Sequence, residues 1–214
     1  VAPPGPVAAY TAAGDESALY CPVFLIEGNN AAHNRIGKPS VRYVSAGTQA
    51  YVDPDRPVIY WQRQSFTTAR DTYTNEIYRV HFEKVPLRWH LTGGRNVGLL
   101  VIVTFNSKSQ PVLITSVHTC GCFLAVVPTS FLPADARPAD WDVDACEVYG
   151  ETLPGLIDFD GSFDSSLRPV LTVRPEIHRV RDLSIGDVTP HASLIQMETR
   201  PMSELERLPP DRKS

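Results

Sequence analysis

VGLLVIVTFNSKSQPVLITSVHTCGCFLAVV, residues 97–127, is the stretch whose reading decides the fold. Its first run, residues 97–105, is apolar on both faces, which is the pattern of a strand covered on both sides. Its apolar stretch, residues 97–103, falls far short of the ~20 that a membrane-spanning helix needs. NSKSQ (106–110) then supplies a cluster of turn formers, and residues 111–127 read as further strand. On the other side, PLRWHLT (86–92) is followed by Gly93 and Gly94, which are expected to supply the positive φ of a hairpin turn. The whole reads as a β-meander or hairpin pair.

The same texture extends in both directions. PVIYWQRQSF (57–66) and YTNEIYRVHFEKV (73–85) are rich in aromatic and β-branched residues. Strand periodicity places Tyr78, Val80 and Phe82 on one face and Ile77, Arg79, His81 and Glu83 on the other. LYCPVFLIE (19–27) carries Pro22, so it is expected to lie at a sheet edge or to start after the proline. RPVLTVRPE (168–176), HRVRDLSI (178–185) and HASLIQMET (191–199) return to strand-like patterning near the C-terminus.

Residues 128–168 differ: they are acidic, proline-spaced and aperiodic, and read as a long excursion with one helical turn near residues 140–149. Residues 1–18 read as disordered or loosely docked. Residues 201–214 read as a polar tail with a helical turn around 203–208. The expected architecture is mainly β: one domain over residues 19–200, an antiparallel β-sandwich or partly open barrel with the acidic excursion inserted.

The formal net charge of −4 and the lack of any basic run longer than two residues argue against a nucleic-acid binder or an anionic-membrane binder. The chain reads as a soluble domain with no membrane span. The opening VAPPGP has the flavour of a segment following a removed export signal, so a periplasmic, envelope or secreted location is expected.

Within the meander, His118, Cys120 and Cys122 alternate. In a straight strand they project from one face, with neighbouring Cα atoms ~6.6 Å apart. That spacing is at the upper limit for a disulfide, whereas two thiolates can converge on a tetrahedral ion. One imidazole and two thiolates suit Zn²⁺ or Cu(I). The fourth ligand would come from His81, His178, His191 or Cys146, with His178 preferred because it flanks a strand. Gly121 is the pivot: a bend there brings the two thiols together and favours a strained, reducible disulfide instead. Three small buried side chains are the remaining alternative. A Cys21–Cys146 bridge would pin the N-terminal strand to the acidic excursion.

Other motifs carry less. Asp158, Asp160 and Asp164 around Gly161 resemble a calcium loop but lack its terminal glutamate. Asp142, Asp144 and Glu147, with Trp61, Trp89 and Trp141 as a sugar platform, would suit a glycan-cleaving enzyme. Arg168, Arg174, Arg179 and Arg181 around His178 suit either an anion or acidic neighbours. The leading expectation is therefore a soft-metal-binding β-domain. A metal-free ligand- or partner-binding sandwich is second, and a thiol-redox or glycan-active enzyme third.

Overall fold

The computed structural model describes residues 6–12, 20–87, 90, 92–164, 166–186 and 194–208. Strands take up 55% of the protein and helix 6%, so the mainly β reading holds. Fourteen strands are formed among the described residues: β1 Ala8–Ala12, β2 Val23–Ile26, β3 Lys38–Val44, β4 Gly47–Asp53, β5 Val58–Thr67, β6 Thr72–Val85, β7 Gly94–Phe105, β8 Pro111–His118, β9 Ala125–Pro128, β10 Cys146–Val148, β11 Glu151–Leu153, β12 Arg168–Val173, β13 Val180–Gly186 and β14 Leu194–Pro201.

Ten of them form one curled sheet in the order β13-β12-β2-β1-β14-β5-β6-β7-β8-β9, a half-barrel. β5 to β9 are antiparallel neighbours in sequence, as the meander predicts. The sheet as a whole is mixed, because β1 runs parallel to β14, β14 to β5 and β12 to β2. These pairings join the two ends of the chain. β1 comes from the segment expected to be disordered or loosely docked, and its Ala8, Tyr10 and Ala12 are buried between β2 and β14. Its short alanines lack the hydrophobic bulk that marks a strand in sequence.

One face of the curled sheet holds the core. Tyr78, Val80 and Phe82 of β6 are buried there with Leu99, Val101 and Ile114, as their alternation predicts. Each such large side chain contributes roughly 1.5–3 kcal/mol by leaving water. β4 of the β3–β4 ribbon packs against β6 and β7. β2 starts directly after Pro22, the second of the two expected positions, and lies inside the sheet.

Two local expectations change. Gly93 and Gly94 do not take positive φ; Asn96 does, at 54°. Gly93 is instead a close-approach position, since a Cβ there would stand 2.8 Å from the Leu87 carbonyl oxygen. The helical turn expected near residues 140–149 is replaced by the start of the β10–β11 hairpin, while a short 3-10 turn forms earlier, at Ala134–Ala136. β10 packs against β9 and β11 against β13, so this small hairpin spans the two edges that the half-barrel leaves open. No helix among the described residues is long and apolar enough to cross a membrane.

Candidate functional site: the dithiol turn

β8 ends at His118, so His118, Cys120 and Cys122 do not lie along one straight strand. The chain reverses through a three-residue loop, Thr119, Cys120 and Gly121. Gly121 N–H donates to the His118 carbonyl at 2.8 Å, and His118 N–H donates to the Cys122 carbonyl at 3.0 Å. Gly121 sits at φ +82°, the left-handed position that closes this kind of loop. The bend at Gly121 is thus present.

Below the loop the register slips. His118 closes on Cys122, whereas Ser116 pairs with Ala125, so one extra residue lies on the returning arm. Phe123, at φ +57°, occupies the bulge. The loop is also tied sideways. Thr119 N–H donates to the Gly98 carbonyl at 2.9 Å, and Gly98 N–H to Thr119 Oγ1 at 3.2 Å.

Cys120 is exposed and Cys122 half-buried, both free thiols. A side-chain hydrogen bond with Cys120 pushes the Cys122 thiol up. Two sulfurs therefore stand together at an accessible turn.

The histidines go elsewhere. His118 is buried, and its Nε2–H donates to the His178 carbonyl at 2.9 Å, fixing its tautomer. Burial holds its pKa low, aided by nearby His90 and partly offset by that carbonyl. His178 is fully buried, stacked on Phe82 at 4.1 Å and 7°. Its Nε2–H donates to Asn34 Oδ1 at 3.2 Å, which also accepts from Glu176 N–H at 2.7 Å. Burial, with repulsion from His118 and His33, pulls the ring's pKa down to about 3. Among the described residues, no group of three His, Cys, Asp or Glu side chains is placed to hold a metal ion. The expected set of His118, Cys120, Cys122 and His178 is thus divided between a surface dithiol and two structural imidazoles. His81 is buried too, bonded through Nδ1 to Asn96 Oδ1 at 3.1 Å, and His191 lies outside the described residues.

The Cys21–Cys146 bridge is not formed. Cys21 is sealed in the core with its thiol donating to the Pro22 carbonyl, and Cys146 is half-buried on β10, where burial pushes its thiol up. The acidic residues of the excursion serve their own turns: Asp142 Oδ1 accepts from Asp144 N–H, Asp158 Oδ1 from Asp160 N–H, and Asp164 Oδ1 from Ser166 N–H. Trp61 donates to Glu76 and Trp141 to the Gly155 carbonyl; Trp89 lies outside the described residues.

Three hairpin turns converge around the dithiol. The Phe123 ring stands edge-on to His118 at 5.1 Å and to Tyr149 of the β10–β11 turn at 5.0 Å. Arg179, beside the β12–β13 turn, lies over the Phe123 ring at 5.7 Å. Glu151 accepts from Arg174 and Arg179; burial pushes its carboxyl up, but these two guanidiniums outweigh it and hold it below the usual range. Phe123, Tyr149 and Glu151 were not singled out by motif, although Tyr149-Gly150 carries a turn signal in its glycine. No protein-family model, curated protein or solved structure matches the chain.

Proposed function

We propose that Cys120 and Cys122 form a reversible dithiol–disulfide couple, and that this domain acts by thiol–disulfide exchange. The observation that carries the reading is the bend at Gly121, which sets two thiols together on an exposed, three-residue turn. Two neighbouring cysteines in a straight strand point the same way and bridge poorly; a left-handed glycine between them removes that obstacle.

The chemistry follows from the difference between the two sulfurs. Cys120, the exposed one, attacks a sulfur of a disulfide-bearing partner as its thiolate. The partner's S–S bond breaks, its leaving thiolate takes up a proton, and a mixed disulfide joins Cys120 to the partner. Cys122 then loses its proton and attacks the Cys120 sulfur. The Cys120–Cys122 bond forms and the second partner thiol leaves with a proton. Two electrons and two protons pass to the partner in all, and the reverse sequence oxidises a dithiol partner. A disulfide closed across one residue is strained and exposed, which places it on the oxidising side of structural disulfides. Oxidising, exported settings are where such partners abound.

Peptide mapping after treatment with oxidised glutathione tests this directly. The expected product is one peptide carrying the Cys120–Cys122 bond, with Cys21 and Cys146 still free. Cys122→Ser should stop at a stable mixed disulfide on Cys120. The soft-metal reading competes for the same two sulfurs. It would prevail if the reduced protein retained stoichiometric copper or zinc against a chelator and lost it in Cys120→Ser.

A further inference from the structure

Tyr149 and Gly150 make a two-residue turn between the paired residues Val148 and Glu151, with φ of 50° and 84°. Both central residues are left-handed, the turn type for which Asn-Gly is the favoured pair. A bulky aromatic residue is an outlier at the first position. Tyr149 is also 65% exposed, so burial does not explain its presence there. Its ring leans on Phe123, itself left-handed at φ 57° and next in sequence to Cys122. Leu124, the following residue, is 55% exposed. Two large side chains are thus exposed around Phe123, the residue next to Cys122, one of them at a strained position. Strain of this kind clusters at sites of function.

Resting on the dithiol reading, we infer that Tyr149 and Leu124 form a docking collar for an extended polypeptide that carries the disulfide, in preference to a small polar disulfide. The occupant follows from continuity with the thiols. Whatever reacts with Cys120 must lie against the dithiol turn, next to Leu124 on the returning arm and to Tyr149, whose ring packs on Phe123. Oxidised glutathione is small, charged and polar, and gains little from either. A polypeptide with apolar residues flanking its cysteine covers both. The reaction remains the balanced exchange described above, with the partner's S–S bond as oxidant.

The test compares two substrates with the reduced full chain: a short apolar peptide closed by one disulfide, and oxidised glutathione. The reading is the ratio of their second-order rate constants. Tyr149→Asn places the favoured residue in the turn, so its melting temperature should hold or rise. Its peptide-to-glutathione ratio is expected to fall by about tenfold, the scale of one interface anchor. Leu124→Ser should lower the same ratio. An unchanged ratio in both variants, with wild type active on both substrates, overturns the collar and leaves the dithiol reading standing. Wild type inert towards both substrates overturns both readings.

Discussion

The Nε2–H of His118 donates to the carbonyl of His178, 2.9 Å away, and so joins the last residue of β8 to the β12–β13 turn across 60 positions of sequence. Both rings are buried, and among the described residues no group of three His, Cys, Asp or Glu side chains is placed to hold a metal ion. The consequence is a pH dependence. His81 and His178 are held down to about 3, and His118 is lowered, in each case mainly by burial. Unfolded histidine titrates near 6.5. The unfolded chain therefore binds more protons as pH falls below that value, and the stabilisation, complete above it, is lost through the window down to about 3. His81 and His178 together should cost roughly 2–3 kcal/mol for each pH unit below about 6. Urea unfolding at several pH values checks this; stability that stays flat from pH 7 to pH 5 would contradict it. Glu151, with its lowered carboxyl, acts only further down.

The sideways anchor of the turn depends on Gly98. A Cβ there would stand 2.6 Å from Thr119 Cγ2 and 3.3 Å from the Val80 carbonyl. Gly98→Ala should destabilise by about 1–3 kcal/mol, the range for overpacking. It should also displace Thr119 and change the alkylation rate of Cys120. A wild-type alkylation rate in a stably folded variant would separate the turn from its anchor.

At Gly121 there is open space around the missing Cβ, but φ is +82°. Gly121→Ala should therefore cost about 1–2 kcal/mol from backbone strain alone. Gly121→Asn should cost less, because asparagine tolerates the left-handed region. Both should shift the Cys120–Cys122 equilibrium, alanine more than asparagine. Thermal unfolding and thiol quantification read the two effects separately.

Glu151 is 5% exposed between two guanidiniums, Arg174 and Arg179. Glu151→Gln leaves two cations facing each other and should destabilise by about 2 kcal/mol, less than a fully buried pair because both arginines keep some water. Arg174→Ala should cost less, since Arg179 still holds the carboxylate. Equal losses in the two variants would count against this network as the clamp between β11 and the β12–β13 turn.

Much of the sheet is written in local pattern. The alternation of Tyr78, Val80 and Phe82 and the turn formers at residues 106–110 lead to β6, β7 and β8 without tertiary information. The parallel pairings do not, because no local signal tells Ala8–Ala12 that it will lie beside β14. The same boundary runs through the site. Gly121 could be recognised as the residue that decides between straight and bent geometry, but its φ follows from the closure of the His118–Cys122 loop. The destination of the His118 ring depends on His178, and that of Tyr149 on Phe123; both are long-range facts.

The central claim is that Cys120 and Cys122 exchange two electrons as a unit, and a redox titration in glutathione buffers tests it most directly. Acid-quenched alkylation and mass analysis should show one two-electron transition, from free dithiol to the intraturn disulfide, at a potential above about −300 mV, the region of labile bonds. No intraturn disulfide at any ratio, or glutathione accumulating on Cys120 without resolution by Cys122, would contradict it.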